Sequence, residues 1–283
     1  MGLDDSARER VLIGVEQLRE QLGTAQAPQL LDVRWRLPDA PGAGRERYGQ
    51  GHLPGARFLD LEAVLTGPHG DPLQGRHPLP SPERVASGLA ELGVDPGREI
   101  VVYDEPGSFA AGRAWWVLRW LGLDVRVLDG GLTAWLAAGH ELEAGDPPPV
   151  EPSRIGTLTP GHLPTLTADE VTGFDGVLID VRAPERYRGE VEPMDPRAGH
   201  IPGAVNRPVA DFWAADGTLP PADRLRSLLA LPSDGPIAAY CGSGVSAARV
   251  VLALASLGIE ASLYPPSWSG WSNDPERPVA VGE

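Results

Sequence analysis

Gly51-His52-Leu53-Pro54-Gly55-Ala56 recurs as Gly199-His200-Ile201-Pro202-Gly203-Ala204, and Leu30-Leu31-Asp32-Val33-Arg34 recurs as Leu178-Ile179-Asp180-Val181-Arg182. Both pairs share an offset of 148 residues (200 minus 52, and 180 minus 32). Ile-Val-Val-Tyr-Asp, ending at Asp104, is matched by Ile-Ala-Ala-Tyr-Cys, ending at Cys241, at an offset of 137 (241 minus 104). Trp135 and Trp271 then match at 136 (271 minus 135). A period this long does not describe a solenoid, so the chain reads as two copies of one domain. The expected division is residues 1–142, a proline-rich connection at 143–163, and residues 164–283. Pro147, Pro148, Pro149 and Pro152 cannot continue a helix or pair in a central strand, which makes the connection extended.

Each copy alternates short apolar runs with helical patterns. In the first copy, Ser6 and Glu9 read as a capping box opening a helix that Gly23 ends. Strands are expected at 29–33, 57–60, 99–103 and 125–128, with helices from Ser81-Pro82 onward, near 110–121 and near 131–138. In the second copy, Thr167 and Glu170 form a capping box, strands are expected at 177–181 and 236–240, and a helix at 245–257. The strands are apolar throughout, as parallel strands covered on both faces should be. The fold class is therefore α/β, with a mostly parallel central sheet flanked by helices in each copy.

Composition excludes several functions. The 283 residues carry 39 acidic and 24 basic side chains, a net charge of −15, which argues against a nucleic-acid binder. Every basic residue is arginine, so there is no lysine for a Schiff base or a phosphate-binding P-loop. The single cysteine rules out an intramolecular disulfide framework. The 35 glycines and 30 prolines indicate many turns, since 42% hydrophobic content is ample for a core. No apolar run is long enough to span a membrane, and the polar start has no signal-peptide core, so a cytoplasmic protein is expected. The six histidines show no metal-ligand spacing, and neither metal nor cofactor is expected.

The chemistry is expected where the copies differ. In open α/β sheets ligands bind beyond the carboxyl ends of strands, and the strand at 236–240 delivers Cys241 there. Gly242-Ser243-Gly244-Val245-Ser246-Ala247 follows. Two glycines let the backbone fold tightly and aim several N–H groups inward, and a helix start adds its positive end. Such a nest favours the thiolate, the nucleophilic form of cysteine. The competing reading is a buried structural thiol.

At this point the sequence resembles a known family. The paired domains, both Gly-His-[Leu/Ile]-Pro-Gly-Ala motifs and Cys-Gly-Ser-Gly-Val-Ser-Ala at 241–247 are similar to the tandem-rhodanese sulfurtransferases. The loop is closer to that of the 3-mercaptopyruvate sulfurtransferases than to that of the thiosulfate sulfurtransferases. The resemblance implies a C-terminal catalytic copy and an inactive N-terminal one, consistent with Asp104 standing where Cys241 stands. It implies a Cys241 persulfide loaded by a small anionic sulfur donor and discharged to cyanide, a small thiol or thioredoxin. With no second cysteine, discharge must be intermolecular. Gly242, Gly244, Val245 and Ser246 form the substrate cradle in this reading, and Arg186 holds the donor's carboxylate. Arg197 is a second candidate for that carboxylate, two residues from the strictly spaced position, Asp195. The family's serine-histidine-aspartate arrangement maps onto Ser243 and His52, with only Glu46 or Asp39 available as the acid. A structural histidine is the competing reading for His52, because His200 occupies the same motif in the other copy. Neutral Gly242 and Ser243 favour mercaptopyruvate over dianionic thiosulfate as donor. A monomer or weak dimer is expected.

A cysteine phosphatase needs a histidine before the cysteine and an arginine to clamp phosphate, but Tyr240 and Ala247 occupy those places. A non-catalytic binding module is disfavoured by Cys241 and its glycines. Trp115, Trp116 and Trp120 read as core or interdomain packing, Trp35 as a cleft residue, and Asp32/Arg34 and Asp180/Arg182 as buried structural ion pairs. Pro265-Pro266-Ser267 replaces the glycine-containing turn that Asp129-Gly130-Gly131 makes in the first copy.

Overall fold

The computed structural model describes residues 3–37, 39–214, 216–231 and 235–283. Its strands in chain order are β1 (Leu12–Ile13), β2 (Gln29–Asp32), β3 (Arg57–Phe58), β4 (Ile100–Tyr103), β5 (Val125–Leu128), β6 (Val177–Asp180), β7 (Val205–Asn206), β8 (Ile237–Tyr240) and β9 (Ser262–Leu263). The helices are α1 (Leu3–Glu9), α2 (Val15–Leu22), α3 (Ala43–Gln50), α4 (Leu61–Val64), α5 (Pro82–Glu91), α6 (Ala110–Trp120), α7 (Gly131–Ala137), α8 (Ala168–Thr172), α9 (Pro184–Tyr187), α10 (Ala222–Leu229), α11 (Val245–Ser256) and α12 (Ser267–Asn273). Two all-parallel sheets result, ordered β1-β5-β4-β2-β3 and β7-β6-β8-β9. The central strands β4 and β8 are buried at every position, which is why their sequences do not alternate.

One expectation fails at the N-terminus. The helix expected from Ser6 to Gly23 is broken by β1, which pairs with β5 through Leu12 and Val127. The apolar run Val11-Leu12-Ile13, β-branched at Val11 and Ile13, gains more by extending the sheet than by continuing a helix. Ser6 lies inside α1 and accepts a hydrogen bond from Arg10 Nη1 at 3.0 Å. Among the described residues the second copy has no such strand; Thr165 bridges Leu263 at that edge instead. The capping box at Thr167 and Glu170 forms as expected.

The repeated motifs are a duplicated clamp. Arg34 grips Asp32 through Nη2 at 2.5 Å and donates to the Gly51 carbonyl at 2.9 Å. Arg182 repeats this with Asp180 and the Gly199 carbonyl, both at 2.6 Å. The Tyr103 hydroxyl accepts from the Leu53 N–H, and that of Tyr240 from the Ile201 N–H. The ends of β2 and β6 are thereby tied to the Gly-His motifs, with all four charges buried.

The two domains share one apolar core. The most extensive contact between any two elements is α6 against α11. Trp115 and Trp116 of α6 join Val250, Val251 and Leu254 of α11 in a single buried cluster. Gly112 permits this approach, because a β-carbon there would lie 2.8 Å from the Arg249 Cα. The connecting chain at 144–164 has no regular element and is fastened to the first domain, as where the Ser153 N–H meets the Ala90 carbonyl at 3.0 Å.

Removing one partner of a buried pair strands the other. Asp180→Ala should lower unfolding free energy by about 3–5 kcal/mol, read as a shift in denaturant midpoint. Asp169→Ala, on an exposed pair with Arg277, should leave the midpoint nearly unchanged.

Candidate active site

The site is built from the end of β8. Its last residue, Tyr240, is followed by Cys241, which is buried. The chain turns through Gly242-Ser243-Gly244 into α11. Gly244 caps that helix in the left-handed conformation (φ 82°), and a β-carbon there would strike the Pro265 carbonyl oxygen at 2.5 Å. Only glycine fits both conditions. Its N–H donates to Cys241 Sγ at 3.0 Å. The loop is held from the other side by the start of α12: the N–H groups of Trp268 and Ser269 donate to the Cys241 and Gly242 carbonyls, each at 2.9 Å.

Ser267 adds a contact that the sequence did not suggest. Its hydroxyl accepts the Cys241 N–H at 3.2 Å, lies 4.0 Å from Sγ and donates to the Tyr264 carbonyl. Its backbone is left-handed at φ 54°, where the first copy has Gly131. A non-glycine residue held in that region stores strain, which persists where the surroundings fix it. The sequence signal was the altered Pro265-Pro266-Ser267 turn.

Cys241 opens into a cavity of about 250 Å³ between the domains. Trp35, Leu37 and Phe109 of the first domain face Arg186, Met194, Ser243, Val245 and Ser246 of the second. Trp35 thus lines the cleft, whereas Trp115 and Trp116 are core. Arg186 stands over Gly242, where a β-carbon would come within 3.4 Å of its Nη1. Arg76, from the loop after Pro72–Gln74 of the first domain, stands closer still, at 3.0 Å from the same point. The sequence reading missed Arg76, because it lies in a segment of the first copy with no motif of its own.

The two cations are not free. Arg186 donates to Glu192 at 2.6 Å and to Asp195 at 3.2 Å, and Arg76 pairs with Asp195. Burial pushes the Asp195 carboxyl above the usual range; Arg76 and Arg186 oppose this and Glu192 adds to it. Arg182 also lines the cavity and pairs with Asp180 and Glu192, so an anion entering meets three guanidinium groups, each shared with carboxylates.

Two expected residues lie elsewhere. Arg197 donates to the Trp271, Ser272 and Arg277 carbonyls at 2.8 Å and to that of Asp274 at 2.5 Å. It satisfies the orphan carbonyls at the end of α12, a natural place for a guanidinium. Arg76 occupies the position beside the loop that Arg197 was expected to fill. His52 is buried in the first domain and is not among the residues lining the Cys241 cavity. Its Nδ1–H donates to the Tyr48 carbonyl at 3.0 Å, and its ring stacks on Tyr48 at 4.0 Å. His200 repeats both contacts on Tyr187, at 2.8 and 3.7 Å. The same packing thus surrounds the motif histidine in both copies. Glu46 is exposed and Asp39 pairs with Arg47, so no serine-histidine-acid triad assembles at Ser243.

A larger cavity of about 410 Å³ surrounds the Asp104 loop. Asp104 accepts from the Ala111 N–H at 3.0 Å, and burial raises its carboxyl against the opposing charge of Arg249. Size does not assign the site here, because the chain's one thiol lines the smaller cavity.

A model of the Rhodanese-like domain family matches residues 14–138 and 165–274. The chain belongs to this family, in two tandem copies. It is 44% identical over 287 residues to SseB of Mycobacterium tuberculosis, provisionally named a thiosulfate sulfurtransferase, covering 98% of this chain and 99% of that protein. It is 42% identical over 291 residues to a Pseudomonas aeruginosa protein provisionally named a 3-mercaptopyruvate sulfurtransferase, covering 96% and 98%. SseA of Escherichia coli, described as a 3-mercaptopyruvate sulfotransferase, superimposes with a TM-score of 0.79 at 33% identity, covering 91% of this chain and 98% of that one. Among the described residues, no helix is long and apolar enough to cross a membrane.

The two arginines should separate cleanly in kinetics. Arg76→Met should raise KM for an anionic donor about tenfold, the loss of one charge-assisted contact. Arg197→Met should leave KM unchanged and lower Tm, because it leaves the α12 carbonyls unpaired.

Proposed function

We propose that the protein is a cytoplasmic sulfurtransferase that moves sulfur from 3-mercaptopyruvate to an external thiol or cyanide through a persulfide on Cys241. The supporting observation is the placement of Cys241 Sγ on the Gly244 N–H at 3.0 Å, at the floor of a cavity over which Arg76 and Arg186 converge. The second domain, at 164–283, performs the chemistry. The first, at 1–142, has Asp104 at the nucleophile position and serves by closing the cavity.

The Cys241 thiolate attacks the donor sulfur. An S–S bond forms as the C–S bond breaks, and the electron pair of that bond leaves with the three-carbon fragment as pyruvate enolate. The donor's thiol proton goes to the enolate carbon, giving pyruvate. The terminal sulfur of the persulfide then carries the charge, and inward-facing loop N–H groups are suited to both anionic forms. Gly242, Gly244, Val245 and Ser246 form this cradle, and Ser243 borders it as a polar group beside the reacting sulfur. In the second half-reaction an acceptor thiolate or cyanide attacks the outer sulfur, the S–S bond breaks, and Cys241 leaves as thiolate. With one cysteine in the chain, a small thiol, cyanide or a thioredoxin-like dithiol must act from outside.

The charge balance of the cavity selects the donor. Three guanidinium groups, Arg76, Arg182 and Arg186, are matched by three carboxylates, Asp180, Glu192 and Asp195, so a dianion such as thiosulfate gains no net attraction. A single carboxylate can replace Asp195 on the forks of Arg76 and Arg186, a geometry that arginine favours. Thiosulfate is the alternative donor, served by the same persulfide.

Comparing kcat/KM for the two donors tests the proposal, and mercaptopyruvate should lead. A clear thiosulfate preference would overturn the donor argument. Retention of transfer by Cys241→Ser would overturn the mechanism. Asp195→Asn should lower KM for mercaptopyruvate about three- to tenfold and raise thiosulfate turnover, because Arg76 and Arg186 then face one carboxylate fewer.

A further inference from the structure

Arg113 lies on α6 of the first domain and is fully buried at the domain interface. Its guanidinium donates to the Leu65, His77 and Pro78 carbonyls at 3.4, 3.0 and 3.2 Å, and across the interface to the Gly244 carbonyl at 3.4 Å. All four acceptors are neutral. Among the described residues the other buried arginines, Arg34, Arg126 and Arg182, each pair with a carboxylate, Asp32, Glu99 and Asp180 respectively. A buried cation without a carboxylate is expensive, so its position calls for an anion nearby.

Cys241 answers to that description. Gly244, whose carbonyl Arg113 holds, is the residue whose N–H meets Cys241 Sγ at 3.0 Å. A β-carbon on Gly244 would lie 3.4 Å from Arg113 Nη1, so the guanidinium packs directly on the sulfur-binding turn. Burial pulls Arg113 down to about 10, still protonated at neutral pH, and the sulfur of Cys241 opposes this more than Glu62 does.

The first domain's loop is treated in the same way. Arg249, on α11, donates to the Ser108 carbonyl at 2.7 Å in the loop after Asp104, with its guanidinium 4.1 Å from the Trp213 ring centre. Each domain thus sends one arginine into the loop at the end of its partner domain's central strand. In one direction the arginine's charge acts on a nearby carboxylate, Asp104; in the other it acts on the sulfur of Cys241. The exchange follows from the close packing of α6 on α11.

We propose that Arg113 is a positioning residue for the sulfur chemistry: it fixes Gly244 with its N–H on Cys241 Sγ and supplies the buried positive charge that balances the cysteine thiolate and its persulfide. The proposal rests on the reading of Cys241 as the nucleophile. The inactive domain then contributes to catalysis electrostatically, in addition to walling the cavity.

The rate of Cys241 alkylation by iodoacetamide, followed across pH, tests this without any sulfur donor, so it fails separately from the donor assignment. Arg113→Gln keeps a side chain that can bond carbonyls but removes the charge. It should move the alkylation profile up by about one pH unit and slow alkylation near neutral pH about tenfold. Arg113→Lys should keep most of the wild-type profile. Arg249→Gln, which disturbs the same helix pair, should leave it unchanged. A folded Arg113→Gln protein with the wild-type profile would overturn the proposal, as would an equal shift in Arg249→Gln. Should Arg113→Gln not fold, Arg113→Lys decides: an alkylation profile close to wild type supports the assignment of the charge, and a profile slowed about tenfold despite the retained charge would overturn it.

Discussion

The close approach of α6 and α11 is the constraint on which the rest of the molecule depends. It is possible because Gly112 has no side chain where Arg249 passes. That contact fuses two domain cores into one and sets the two strand-end loops on either side of a shared interface. The Cys241 cavity exists only because Trp35, Leu37, Arg76 and Phe109 of the first domain close over a loop of the second. A single copy would leave Cys241 in an open nest with half of its cationic surroundings missing.

Duplication followed by division of labour accounts for much of the remaining geometry. The clamp of Asp, Arg, Tyr and His is maintained in both copies with nearly equal distances, because it holds the sheet together in each. The strand-end loops have diverged. One ends in a carboxylate that accepts a helix N–H, and the other in a thiol that accepts a glycine N–H. Strain accompanies the second: Ser267 holds a left-handed backbone beside Cys241, where the first copy has glycine.

Much of this was legible in the sequence, for reasons that can be stated. The repeat offset, the apolar strands and the Thr167–Glu170 capping box are local signals, and the sheets follow them. The shared motif also foreshadowed the matching surroundings of His52 and His200, each stacked on a tyrosine. What was not legible depends on contacts between distant segments. Arg76 reaches Gly242 across the domain interface, and Arg113 reaches Gly244 from a helix that reads as ordinary core. Arg197 was expected at the loop from its place just before the Gly-His-Ile-Pro-Gly motif, which does not reveal the four carbonyls that it meets at and beyond the end of α12. At the N-terminus, helix caps and periodicity outweighed the β-branched run that the sheet edge captured.

The central claim is that sulfur rests covalently on Cys241 between two half-reactions. Rapid mixing of the protein with excess mercaptopyruvate, with no acceptor present, tests this most directly by timing pyruvate release. The account predicts a burst of about one pyruvate per chain, matched by one cyanide-releasable sulfur, and then arrest, as a ping-pong nucleophile requires. Pyruvate release only when an acceptor is present, with no sulfur retained by the protein, would contradict it.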